Sequence, residues 1–364
     1  MGGAPTPALA ELERDPHAAF ARLREQGPVA WVEALGAWLV LTRERALGVM
    51  RDDATFTVDD PRFTTGRVVG PSMLTLDGAE HARHREPFAR PFRRAAVLER
   101  FTPLVEAEAA RLAAGLRPGA DLRRGFAGPL AAAIVTHALG LQAVGVERVL
   151  GWYDGIVGAV TDLTAGREDV PPVGAAAFAA LREALLEAGF GDDEAVSNAA
   201  VLLFGGIETT EGMIANALWH LLTNPDQLAL VRAEPELLPN AVEESLRLEP
   251  AAATIDRYAT RDADPIRAGD LVSVSIAAAN RDPAVFADPD RFDARRANAK
   301  LHLAFAHGPH VCLGMHLARL EAHVALRVVL ARRPRLLAAE EAAPRGLVFR
   351  KPPALRVDFE DANA

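Results

Sequence analysis

One long apolar helix dominates the middle of this sequence. It begins after Gly191-Asp192, runs through EAVSNAAVLLFGGIETTEGMIANALWHLLTN and stops at Asn224-Pro225, where an Asp start signal and a Pro stop signal bracket it. The surrounding pattern is also helix-rich. Residues 15–27 predict a short helix closed by Gly27-Pro28. Residues 29–32 and 37–41 predict a hairpin across Gly36. Residues 58–71 read as loop, and residues 81–186 as mainly helical. A further helix is expected over 237–248. Val272, Val274 and Ile276 alternate with Ser273 and Ser275, the period of a strand. Residues 281–308 read as irregular. A last long helix starts near Cys312, with Leu313, Leu317, Leu320, Val324 and Val328 on one face. The expected fold class is mainly α with small β-sheets.

Length alone, at 364 residues, suggests two or more domains. The net charge of −9 argues against nucleic acid as a partner, because phosphate binding needs surplus Lys and Arg. The single cysteine excludes an internal disulfide and any zinc site built from several thiolates. The N-terminal MGGAPTPALAELERDPH has no basic segment followed by an apolar one, so no signal peptide is expected. No charge-free apolar stretch reaches membrane length, so no membrane span is expected, and the expected location is cytoplasmic.

Cys312 lies in Phe305-Ala306-His307-Gly308-Pro309-His310-Val311-Cys312-Leu313-Gly314. Gly308-Pro309 forces a tight non-helical turn, and Gly314 permits close approach to the first turn of the helix that follows. A thiolate at a helix start is stabilised by free N–H groups and the helix dipole, which makes it a good anionic ligand for iron. A buried structural cysteine is the alternative. A zinc site from His307, His310 and Cys312 is a third reading, but three ligands within six residues fit zinc spacings poorly.

Gly205, Gly206, Ile207, Glu208 and Thr209 fall inside the long helix. Each glycine there costs about 1 kcal/mol relative to Ala. Gly205, Glu208, Thr209 and Gly212 share a face at i, i+3, i+4 and i+7. That face could admit a flat cofactor beside an acid and a hydroxyl. The alternative is close helix packing at the glycines, with Glu208 in a salt bridge and Thr209 bonded to its own backbone. Glu244 and Arg247 lie at i, i+3 and could be a surface pair. His81 and Arg85 lie at i, i+4, and Arg257 follows in RYATRD.

The cysteine loop resembles the heme-binding signature of the cytochrome P-450 family, with Ala306 at a position where Gly is common. Four further elements resemble the family in the same order: His81/Arg85, Gly205–Thr209, Glu244/Arg247 and Arg257. The resemblance implies one domain over residues 1–364, with heme between the long distal helix and the proximal cysteine-loop helix. It implies heme b (iron protoporphyrin IX) with Cys312 as axial ligand of the iron. His310, Arg257, His81 and Arg85 would serve the propionates, and Phe305 would flank the cofactor. His84 and Arg83 compete for the roles of His81 and Arg85 if the register slips. Glu208 and Thr209 would relay protons for dioxygen activation. Glu244, Arg247 and Arg291, the last in Pro289-Asp290-Arg291-Phe292, would form a buried structural network.

The activity so implied is monooxygenation of a small organic substrate, most simply hydroxylation in secondary metabolism. Electrons from NAD(P)H would arrive through a ferredoxin and a ferredoxin reductase. Oxidative coupling on the same fold is an alternative, and a heme-binding sensor without turnover is a third. The chain is expected to act as a monomer. The segments 56–81 and 141–193 look shortened, which predicts an open pocket or an abbreviated lid, and Ala251, Ala252 and Ala253 suggest room near the heme.

Overall fold

A computed structural model describes residues 6–359. The chain opens with α1 (Leu9–Arg14), α2 (His17–Arg24), β1 (Val29–Val32), β2 (Ala37–Val40), α3 (Arg43–Arg51), β3 (Phe56–Thr57) and α4 (Thr64–Val69). Next come α5 (Gly78–Ala89), α6 (Arg94–Gly115), β4 (Ala120–Asp121), a π-helical turn (Arg123–Ala127), α7 (Gly128–Ala138), α8 (Val146–Thr164) and α9 (Pro172–Glu187). The long α10 (Asp193–Thr223) is followed by α11 (Pro225–Ala233), α12 (Leu238–Leu248), β5 (Thr254–Ala259), β6 (Leu271–Ser275) and α13 (Ile276–Ala279). The chain closes with α14 (Met315–Leu330), β7 (Pro334–Leu336) and β8 (Arg356–Phe359). The fold is mainly α with two small sheets, ordered β1-β2-β6-β5-β3 and β4-β8-β7. Among the described residues no helix is long and apolar enough to cross a membrane.

The long helix starts where expected: the Asp192 carboxylate accepts from the Ala195 N–H at 2.8 Å, satisfying a donor that the first turn leaves free. Its second half packs with α7, α12 and α14 through Ile214, Leu218, Val242 and Leu326. Its first half packs with α7, α8 and α9 through Val196, Leu203, Leu181 and Ile156. This one element therefore crosses both of the larger apolar cores.

Two expectations need correction. Residues 58–71 are not all loop, because α4 forms there and buries Val68 and Val69 against α8 and α9. The segment 15–27 holds α2 from His17, and Pro16 separates it from α1. The Val/Ser alternation predicted a strand, and β6 forms there. β6 lies between β2 and β5, and Ser273 and Ser275 are buried with Val272 and Val274. The two segments expected to be short both supply packed helices, α4 in the first and α8 and α9 in the second.

The Glu244–Arg247 pair is fully buried rather than on the surface. Arg247 donates to both Glu244 oxygens, at 2.7 and 2.9 Å. Its remaining N–H groups reach the carbonyls of Asn280 and Pro289. The third member is Arg296, which donates from Nε to Glu244 Oε1 at 2.8 Å. Arg291 was the expected third member, and the structure overturns that. Its backbone N–H closes a turn onto the Asp288 carbonyl, its side chain is exposed, and only its carbonyl joins the network, accepting from Arg247 and Arg296.

Arg247 would still balance Glu244 without Arg296, but Arg296 also satisfies the carbonyls of Ala287, Asp288 and Arg291, and leaving buried acceptors unpaired costs about 1–3 kcal/mol. Arg296→Met should therefore lower stability by that amount in denaturant titration, whereas Arg291→Ala should stay within about 0.5 kcal/mol. Equal losses would reverse the assignment.

Candidate active site

The cysteine loop is shaped by three residues. Gly308 has φ +76°, and a Cβ there would stand 2.4 Å from the Met50 carbonyl of α3, so only glycine fits. Ala306 also lies in the left-handed region, at φ 57°, which explains why a glycine suits that position and why alanine is strained there. The Cys312 N–H then donates back to the Phe305 carbonyl at 2.8 Å, closing the loop.

α14 begins at Met315 with Gly314 as its cap, so Cys312 precedes the helix instead of opening it. Burial pushes the Cys312 thiol up, and the amides of Gly314 and Met315 with the Arg85 and Arg319 guanidiniums only partly offset it. Protein groups alone therefore do not stabilise the thiolate as the sequence suggested.

α5 ties this loop to the long helix. On one face, Arg85 donates to the Val311 carbonyl at 2.5 Å, and the His81 ring lies 4.3 Å from that of His310. On the other face, Arg83 pairs with Glu194 at 2.5 Å, and His84 meets Asn198 of α10 at 3.1 Å. The register question is thereby answered: Arg83 and His84 serve α10, and His81 and Arg85 face the loop.

Two of these groups lack counterparts. His81 Nε2 is buried with no hydrogen-bond partner. Arg257 on β5 is 5% exposed and donates to the Asp256 carbonyl, yet among the described residues it has no ion pair. Burial lowers both, and His310 and Arg85 nearby add to the effect on His81, which falls to about 4. The acid present is Asp77, which the sequence reading missed. It occupies the N-cap position of α5 without capping it. Its carboxylate instead takes His310 Nε2 at 2.7 Å, the Thr57 hydroxyl at 2.6 Å and the Val58 N–H at 2.8 Å. Burial pushes Asp77 up, but these hydrogen bonds outweigh it and hold the acid at about 2.

The glycine-acid-threonine face of α10 divides. A Cβ on Gly205 would meet nothing within 4 Å, whereas one on Gly206 would press on Val135 at 3.1 Å and one on Gly212 on Ala251 at 2.8 Å. Gly212 is thus a packing residue, and the small Ala251 admits the helix instead of widening a pocket. Thr209 donates to the Gly205 carbonyl at 2.7 Å, and Glu208 pairs with Lys351 at 2.7 Å.

The Cytochrome P450 family model matches residues 176–333. The "Cytochrome P450 monooxygenase PikC" of Streptomyces venezuelae is 35% identical across 95% of this chain and 90% of its own. The crystal structure of CalO2 superposes with a TM-score of 0.88 at 29% identity, covering 99% of both chains. A third relative in structure is CxnD, described as the P450 "for C-S bond formation in chuangxinmycin biosynthesis". It has a TM-score of 0.78 at 27% identity and covers 98% of both chains. This chain belongs to the cytochrome P450 family. As a P450 it is an oxidoreductase of the monooxygenase kind, and the family implies a heme.

The residues of this P450 fit that group. A buried guanidinium without a carboxylate and an unpartnered imidazole nitrogen suit an acidic edge, the half-buried thiol suits iron, and Gly205 leaves space for a flat ring.

Asp77→Asn should loosen His310 and remove about 2 kcal/mol of stabilisation at neutral pH. The folded-state value lies below the ordinary one, so the contribution is complete above about pH 4 and disappears as pH falls through about 2. Soret absorbance followed during acid titration should show this loss in the native protein and not in Asp77→Asn.

Proposed function

We propose that this P450 binds heme b through Cys312 and hydroxylates a small organic substrate. The unpartnered buried nitrogen of His81, together with the buried Arg257 guanidinium that has no ion pair among the described residues, carries this reading. In it, His81, Arg85, Arg257 and His310 hold the propionates, since cations and N–H donors pair strongly with carboxylates. Phe305 lies against the proximal side. Arg319 stacks over its ring at 4.3 Å and chelates Glu243 at 2.6 and 2.9 Å, which keeps the loop in place.

When bound, heme supplies the redox chemistry that activates dioxygen, with electron donation from the thiolate. The chain supplies protons. Thr209 offers a hydroxyl beside the open space at Gly205, and Glu208, one residue earlier, recharges it. Electrons come from NAD(P)H through a separate ferredoxin and ferredoxin reductase in the cytoplasm. A second reading is oxidative bond formation by the same residues, as the name of CxnD describes for that protein.

Reduction of the purified protein under carbon monoxide should give the strongly red-shifted Soret band of thiolate ligation, and Cys312→Ser should abolish it. A heme-loaded native protein without that band would overturn the ligand assignment. Thr209→Ala should uncouple electron consumption from product, and Glu208→Gln should slow turnover by about 10²-fold, the low end for a positioned proton donor.

A further inference from the structure

Glu208 is one end of a chain of four buried charges that alternate in sign. Lys351 Nζ lies 2.7 Å from Glu208 Oε1 and 2.5 Å from Glu211 Oε2. Glu211 Oε1 accepts from Arg123 Nε at 3.0 Å, and Arg123 also donates to the Pro353 carbonyl at 2.8 Å. All four side chains are at most 15% exposed.

The two acids are held differently. Glu211 is fixed by Arg123 and Lys351, with Gly128 so close that a Cβ there would lie 3.2 Å from Oε1. Glu208 has Lys351 as its one ion-pair partner among the described residues. The lysine backbone is itself fixed, exchanging both N–H···O bonds with Arg345, so only its side chain can follow Glu208.

The cluster borders a cleft of about 320 Å³ that opens to solvent between α7, α8, α10 and the C-terminal segment. Glu208, Glu211 and Lys351 line it together with Arg123, Arg124 of the π-helical turn and Asp154 of α8. A purely structural ion pair gains nothing from such a cleft, because water weakens it. A proton carrier needs one.

Resting on the relay reading above, we propose that this cleft is where solvent protons enter, and that Lys351, anchored by Glu211, is the positioning residue that holds Glu208 at its inner end. A water in the cleft gives a proton to the Glu208 carboxylate, which weakens its hold on the ammonium. Lys351 stays on Glu211, and Glu208 is freed to pass the proton to Thr209 Oγ1, whose own hydroxyl proton moves on. One proton enters from bulk solvent for each one delivered.

The holoenzyme tests this with Lys351→Met, Lys351→Arg and Val157→Trp, the last narrowing the cleft without changing charge. Without the ammonium, Glu208 has no ion-pair partner among the described residues and faces the like charge of Glu211, which favours a protonated carboxyl. Lys351→Met should therefore gain a protonated-carboxyl infrared band that the added Glu208→Gln removes. It should also lose about tenfold in turnover, part of what a positioned proton donor contributes, and Lys351→Arg should rescue both. Val157→Trp should raise the solvent isotope effect on turnover with no infrared change. Native turnover in Lys351→Met, or a band that survives Glu208→Gln, overturns the proposal. If Glu208→Gln is slow while Lys351→Met and Val157→Trp match the native enzyme, this inference fails alone. If Glu208→Gln itself turns over normally, the relay reading fails with it.

Discussion

The Glu244 carboxylate is the point on which the proximal half of the molecule hangs. It binds the guanidiniums of both Arg247 and Arg296 and also the Asp293 N–H. Through their other N–H groups the two arginines reach the carbonyls of Asn280, Ala287, Asp288, Pro289 and Arg291. The segment they gather has almost no regular secondary structure, so its backbone groups would otherwise lie buried and unpaired. Two cations on one anion leave a surplus positive charge, and the carbonyl oxygens around them compensate it. The cost of burying these ions is thus met by ordering an irregular chain, and that chain leads directly into the loop that carries Cys312.

The same accounting, applied to the cofactor site, gives the opposite result. His81, Arg85, Arg257 and His310 converge with Asp77 as the acid among them, and Asp77 is committed to His310. Arg257 is buried with no carboxylate in ion-pair contact among the described residues, and a charge so placed is costly. In the reading proposed above, the acidic edge of a heme would complete the cluster. Binding and local folding would then be coupled, as for any group that stabilises the native state alone.

What the sequence made legible was local chemistry. Asp192 at the start of α10 and Pro225 after its end mark that helix because capping and proline act over a few residues. The left-handed turns of the cysteine loop are readable for the same reason. What stayed hidden depends on distant chain paths. Arg291 and Arg296 look equally suitable until the turn at Asp288 sends one outward and the other inward. Asp77 reads as a helix cap, and nothing nearby reveals that its partner lies 233 residues away. Lys351 is 140 residues from Glu211 and carries no motif at all. The alternation in β6 gave the strand correctly, while the burial of its serines depends on the neighbouring strands β2 and β5.

The middle of α10 shows why alternatives that look exclusive in a sequence need not be. Helix packing at the glycines, a salt bridge at Glu208 and a backbone bond from Thr209 are all present, and each on its own would stand in for a catalytic reading. Yet the packing at Gly206 and Gly212 is what fixes the helix, while Gly205 alone is left open. The Thr209 hydroxyl, by occupying the Gly205 carbonyl, is held at that opening. The Glu208 ion pair keeps an acid at the edge of a solvent cleft in a site that would otherwise exclude charge. A residue can satisfy its buried polar atoms in the resting state and still be free to exchange those partners for a proton. At this helix, structural satisfaction is what holds the acid and the hydroxyl in place.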